Sequence, residues 1–242
     1  MTEDYSILTR TAGPADQTLA YGQHPDQVAD VRVGQRGVQL PLVVLIHGGF
    51  WKPAYDRHHT EAMAVALAAT GWTVLTVEYR RIPGEPESMV QDVRAALTTL
   101  PAQVPQHNGQ LLLIGHSAGG HLVLWAATAV TLPALRGVVA LAPAADLQLA
   151  HRLQLGSGAV QAFLGAHPDT QPTLDPMQLA APTAPVTVIH GDADQIVPPA
   201  VAQSYCRAFP KTQLRVLPDV GHFALIDPKA PAWATVVDAL HK

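Results

Sequence analysis

The sequence predicts an α/β fold: a mostly parallel central sheet with helices on both faces. Three observations predict it. Short β-branched runs alternate with longer Ala/Leu-rich segments along the chain. The runs are apolar at every position rather than at every second one, as in strands covered on both sides. The segments between them are long enough to be right-handed crossovers joining parallel neighbours.

Leu42–Ile46 (LVVLI) is the plainest strand. Trp72–Val77, Leu111–Ile114, Val138–Leu141, Val186–Ile189 and Gln213–Leu217 repeat its character. Helices are expected over Thr60–Thr70, Ser88–Leu100, Ala118–Val130, Ala200–Phe209 and Ala232–His241. Residues Thr18–Val33 would add an N-terminal hairpin or edge strands. The alternation breaks between Pro143 and Pro185, a Pro-rich stretch of about forty residues, and connections this long are usually functional or carry small helices. Within it, Ser157–Leu164 reads as a short helix with Ser157 as N-cap. The whole chain, 1–242, is expected to form a single domain with a lid-like insert at about 143–185.

Composition bounds the function. The chain has 242 residues, of which 48% are hydrophobic and 14% charged, which suits a sizeable core and not a disordered chain. A net charge of -4 speaks against nucleic-acid binding, which needs a basic face. The one cysteine, Cys206, can form neither an intramolecular disulfide nor a Cys-rich zinc site. No apolar run approaches the ~20 residues that span a bilayer. The stretch Met1–Arg10 carries Glu3 and Asp4 where a signal peptide would be basic. A cytoplasmic protein, monomer or homodimer, with no membrane partner is expected.

The central motif is Gly115-His116-Ser117-Ala118-Gly119, between a predicted strand and a predicted helix. A G-x-S-x-G turn in that context holds its serine on a sharp elbow at the carboxyl end of a sheet. The helix that follows aims its first amides and positive dipole end at the same place. Five serines and 18 glycines would give roughly 0.03 such matches by chance. Ser117 is therefore the candidate nucleophile.

His47-Gly48-Gly49-Phe50-Trp51 follows the strand Leu42–Ile46. Acyl transfer places negative charge on a former carbonyl oxygen, and preorganised N–H groups stabilise it. The amides of Gly49, Phe50 and Ala118 are the candidates, with His47 ordering the loop. A serine hydroxyl needs a base beside it, and His222 in Gly221-His222-Phe223 is the best one. Asp192 and Asp194, in the stretch from His190 to Pro198, are the acids that could orient it. No H-E-x-x-H, G-x-G-x-x-G or Walker A pattern occurs, and the adjacent His58 and His59 would not face one site. Neither a catalytic metal nor a cofactor is expected.

HGGFW, GHSAGG, HGDADQIVP and GHFALIDP stand in the order found in the α/β-hydrolase superfamily, which the chain resembles from Leu42 onward. HGGFW and Val77-Glu78-Tyr79-Arg80-Arg81 resemble, more narrowly, small carboxylesterases and kynurenine formamidases with an HGG-type loop. Phe50 stands where relatives of hormone-sensitive lipase have a glycine, adding an aromatic wall. The resemblance implies an eight-stranded, mostly parallel sheet and favours Asp194 over Asp192. It implies a Ser117–His222–Asp194 triad working through an acyl-enzyme on a small-molecule ester or amide. Short-chain or aryl esters are the first choice, N-formylkynurenine the second, and a non-catalytic ligand-binding protein of the same fold the third. Trp51, Tyr79, Ile196 and Phe223 are expected to line a compact, partly aromatic pocket.

Overall fold

In the computed structural model, which describes residues 3–241 (Met1, Thr2 and Lys242 lie outside the described residues), strands and helices alternate as expected. The strands are β1 (Gln17–Ala20), β2 (Val28–Arg32), β3 (Leu42–Ile46), β4 (Val74–Val77), β5 (Leu111–His116), β6 (Leu135–Leu141), β7 (Val186–Gly191) and β8 (Gln213–Leu217). The helices are α1 (Glu61–Ala69), α2 (Pro86–Thr99), α3 (Ala118–Ala129), α4 (Leu147–Arg152), α5 (Leu155–Leu164), α6 (Pro199–Ala208) and α7 (Trp233–Leu240). The strands form one sheet in the order β1-β2-β4-β3-β5-β6-β7-β8, an α/β-hydrolase arrangement. β1 lies at one edge, the β1–β2 and β2–β4 pairings are antiparallel, and every other pairing is parallel.

The continuous apolar runs are explained by which face each residue feeds. Leu42, Val44 and Ile46 of β3 join a cluster with Val93 and Leu97 of α2 and Leu122 and Ala126 of α3. Val43 and Leu45 point the other way, into a cluster with Met63 and Leu67 of α1 and Val236 and Leu240 of α7. Neither face is left to water, so neither carries polar side chains. The carboxyl ends of β3, β5, β7 and β8 lie along one edge, where ligands bind in open sheets of this kind.

Three expectations need correction. Trp72 is outside β4: its N–H bonds back to Leu67 O at 3.3 Å, closing α1 before the strand starts. The insert holds a helix that the periodicity did not reveal, α4, capped by the Asp146 carboxylate accepting from Leu149 N–H at 2.8 Å. Ser157 is not an N-cap. It sits at φ 61°, ψ 49° between Gly156 and Gly158, both also at positive φ, and α5 is regular only beyond them.

Candidate active site

Ser117 joins β5 to α3 at φ 57°, ψ -118°, a conformation that costs a non-glycine residue roughly 1–3 kcal/mol. Surrounding bonds hold it there. Its N–H donates to Leu141 O at 2.8 Å, and its carbonyl accepts from His121 and Ala144 at 3.1 and 3.2 Å. The flanking glycines are steric necessities. A Cβ on Gly115 would come 2.2 Å from Gly119 O, and one on Gly119 would come 2.1 Å from Ile46 O. The motif thus lets α3 touch the end of β3, and this brings the 47–51 loop beside the serine.

Beyond β7, Asp194 turns its side chain inward. Its Oδ2 accepts from His222 Nδ1 at 2.6 Å and faces His190 Nε2 at 3.2 Å. Its Oδ1 accepts from the N–H groups of Ile196 and Val197, both at 2.8 Å. Burial opposes the charged form, but the hydrogen bonds from His190, His222 and Val197 outweigh it and hold the carboxyl well below the usual range. Asp192 is exposed and accepts instead from Asp219 N–H at 2.7 Å. Asp194, not Asp192, meets the histidine.

The His222 ring packs on His116, centroids 4.4 Å apart. Burial, and then the proximity of His222, push His116 far below its ordinary value, so it stays neutral. His116 Nε2 donates to His222 O at 3.1 Å and steadies the loop. Ser117 and His222 line one cavity of about 240 Å³. The serine hydroxyl is not bonded to the ring, and among the described residues His222 Nε2 has no hydrogen-bond partner.

Gly49, Phe50, Ile196 and Phe223 also line the cavity. Gly49, Phe50 and Trp51 lie at φ 107°, 53° and 57°. This run of left-handed residues curls the loop so that, among the described residues, the N–H groups of Gly49 and Phe50 bond to nothing, as does that of Ala118. Trp51 and Tyr79 are not on the cavity wall. Trp51 is turned into the core, stacked on Phe163 at 4.8 Å, with its Nε1–H donating to His121 Nδ1 at 3.3 Å. Tyr79 is fully buried, stacked on His47 at 4.4 Å, with its hydroxyl donating to His47 O at 2.8 Å.

Sequence reasoning names His47 as ordering the loop but not the buried carboxylate that anchors it, Glu78. His47 Nε2 meets Glu78 Oε1 at 2.9 Å and its Nδ1 meets Gly48 O at 2.8 Å. Glu78 also accepts from Arg57 N–H at 3.0 Å and from Arg81. Burial works against the Glu78 anion, yet His47 and Arg81 bring its carboxyl down to about 2. Also missed were the wall residues Tyr5, Leu8, Tyr55 and His59. Tyr5 and Leu8 belong to no motif, whereas Tyr55 and His59 follow the HGGFW loop closely enough to have been considered. Among the described residues no cluster of His, Cys, Asp and Glu is set to hold a metal ion, and no helix is long and apolar enough to cross a membrane.

The chain is similar to known proteins in sequence and in shape. The chain is 28% identical to the esterase LipC of Mycobacterium tuberculosis over 262 residues, covering 93% of this chain and 65% of that protein. It is 33% identical over 150 residues to kynurenine formamidase of Salmo salar, covering 57% of this chain and 50% of that one. The chain thus spans about two thirds and half of these relatives. Among solved structures, esterase B of Lactobacillus rhamnosis superposes with a TM-score of 0.80 at 22% identity, covering 97% of this chain and 87% of that one. The profile of the BD-FAE family matches residues 30–208. The chain belongs to the BD-FAE family and has the α/β-hydrolase fold.

Proposed function

We propose that the protein is a serine hydrolase that cleaves small carboxylic esters through an acyl-enzyme. The observation that carries this reading is the 2.6 Å contact between His222 Nδ1 and Asp194, in a histidine that shares one cavity with Ser117. The contact leaves Nε2 as the nitrogen able to act as base. It takes the proton of Ser117 as Oγ attacks the substrate carbonyl, through a hydrogen bond that forms as substrate is engaged. Asp194 fixes the tautomer and stabilises the imidazolium. The free amides of Gly49, Phe50 and Ala118 hold the oxyanion, each worth on the order of 3 kcal/mol. The leaving alcohol accepts the proton from His222, and water, activated by the same ring, releases the acid.

Cavity size supports small substrates. An apolar cavity of about 150 Å³ holds a benzene ring. One of about 240 Å³ therefore suits an aryl ring with a short acyl group. The aromatic side chains of Phe50 and Phe223 favour aryl esters over purely aliphatic ones. A second reading, hydrolysis of N-formylkynurenine, is favoured by the formamidase relative and by the same small aromatic cavity. Formyl and acetyl groups differ by one methyl, worth only ~1–3 kcal/mol of discrimination. Side-by-side kcat/KM values for phenyl acetate and N-formylkynurenine decide between the two. Ser117→Ala is expected to lower kcat by roughly 10⁴–10⁶-fold and to abolish labelling by a fluorophosphonate probe. A wild type that is neither labelled nor active would sink the hydrolase reading in favour of a ligand-binding protein, whereas full activity in the variant would remove Ser117 as the nucleophile.

A further inference from the structure

Residues Glu3–Arg10 belong to no motif, yet they grip the site at both ends and cover it in the middle. The carboxylate of Glu3 accepts from His222 N–H at 2.7 Å and reaches Phe223 N–H at 3.5 Å. It lies flat against Gly221, where an added Cβ would come within 2.8 Å of it. At the other end, Arg10 makes a two-pronged pair with Asp227, at 2.5 and 3.0 Å. Both anchors fall on the segment that carries His222. Between them, Ser6–Thr9 forms a 3₁₀ turn whose Ile7 is 1% exposed, buried in the cluster with Met63 and Leu225.

The middle of this strap faces the chemistry. Tyr5 and Leu8 line the cavity that holds Ser117 and His222, and the Tyr5 ring rests on Phe223 at 5.1 Å. Behind the strap lies a second, larger hollow of about 600 Å³, walled by Glu3, Arg10 and Phe223. The strap is thus a partition between a small cavity that contains the serine and a larger one that does not. Tyr5 is 53% exposed, so its ring can be removed without opening the core.

We propose that this strap sets the size of the group the site accepts. Tyr5 and Leu8 are the specificity-determining side chains, and Glu3 and Arg10 hold them over the cavity. This rests on the reading that substrate binds between Ser117 and His222. A bulky acyl group meets the strap, whereas an acetyl group does not reach it. Shortening the wall therefore changes the ratio of the two rates.

The test measures kcat/KM for phenyl acetate, phenyl butyrate and phenyl benzoate, together with fluorophosphonate labelling of Ser117. The proteins compared are the wild type, Tyr5→Ala, Tyr5→Leu, Leu8→Ala and Glu3→Gln, with Val38→Ala as a control at a side chain 66% exposed and outside the cavity. Tyr5→Leu keeps an apolar contact for Phe223 should Tyr5→Ala fold poorly. The benzoate-to-acetate ratio is expected to rise by about tenfold or more in Tyr5→Ala, as for other pocket-wall changes. It rises less in Tyr5→Leu, Leu8→Ala and Glu3→Gln, and stays unchanged in Val38→Ala. A labelled, active enzyme whose ratio does not move in the Tyr5 and Leu8 variants overturns the strap proposal alone. A wild type that is neither labelled nor active on any ester overturns the hydrolase reading, and the strap proposal with it.

Discussion

Two of the buried histidine–carboxylate pairs at the carboxyl edge of the sheet invite comparison, His47–Glu78 at 2.9 Å and His222–Asp194 at 2.6 Å, the second with His190 also 3.2 Å from its carboxylate. In isolation they look alike, since all four side chains are buried. Their surroundings differ. Both ring nitrogens of His47 face oxygen acceptors, and its ring is stacked under Tyr79. Glu78 has guanidinium neighbours as well: Arg81 bonds to it, and Arg57 lies 3.6 Å away. His222 commits one nitrogen and keeps the other, and its ring lines a cavity. Among the described residues no Lys or Arg pairs with Asp194, so the charge-compensating partners are imidazoles and backbone N–H groups. The comparison teaches that a tight pair is not a sign of catalysis. What sets His222 apart from His47 is that, among the described residues, one nitrogen is held by a carboxylate and the other has no partner on a ring that lines the cavity.

If that distinction holds, damage to the two pairs should register on different instruments. Asp194→Asn is expected to lower kcat on phenyl acetate by about 10⁴-fold, because the amide favours the wrong tautomer of His222. Steady-state kinetics with a matched melting curve checks this, and a loss under tenfold would erase the contrast. Glu78→Gln should act mainly on stability. Leaving Arg81 and His47 without that anion, while Arg57 keeps Asp30, costs roughly 3–5 kcal/mol, which differential scanning calorimetry would read as a Tm lower by about 6–20 °C. The sign with pH is definite. The Glu78 carboxyl is lowered from 4.5 to about 2 on folding, so its contribution is complete above about pH 4.5 and disappears as the pH falls toward 2. The gap between wild type and variant should therefore narrow in acid.

Asp175 sharpens the comparison from the other side, as a buried carboxylate with neither histidine nor guanidinium. Its Oδ1 accepts from Met177 N–H at 3.0 Å, and its Oδ2 has no partner. Burial, only partly offset by the Met177 N–H and reinforced by Asp146, raises its carboxyl to about 6. A raised carboxyl stabilises the fold in acid and loses that contribution as the pH climbs through its folded value. Asp175→Asn lacks this loss. Its stability relative to wild type should grow between about pH 4 and pH 7, by at most about 3 kcal/mol. Urea denaturation at the two pH values measures the difference, and a pH-independent gap would remove the account.

What the sequence revealed and what it hid follow from range and direction. The elbow is legible because its geometry is demanded by residues two away from Ser117 on either side: glycines at 115 and 119 are required by contacts that any side chain would break. Strands β3 and β5 are legible because burial on two faces removes polar residues. The hairpin expected over Thr18–Val33 is there as β1 and β2, but β1 is four residues long with one buried position, so no such pattern marks its bounds. Trp51 and Tyr79 show the limit of adjacency. Both stand beside site residues in the chain, but the left-handed backbone at Trp51 and the close packing of Tyr79 on His47 turn their rings into the core. The bond from Glu3 to His222 joins residues 219 positions apart and carries no periodic signature, so only coordinates reveal it.

One contact at the edge of the cavity bears on how the site can open. Lys52 Nζ donates to Gly156 O at 2.8 Å, and Phe50 lies so near Gly156 that a Cβ there would stand 2.8 Å from its ring. The loop bearing the free amides and the segment after Pro143 are therefore tethered at Gly156, beside the stack of Trp51 on Phe163. Swinging that segment outward would pull the amides out of alignment in the same stroke. Any opening of the segment therefore has to break the Lys52–Gly156 bond first.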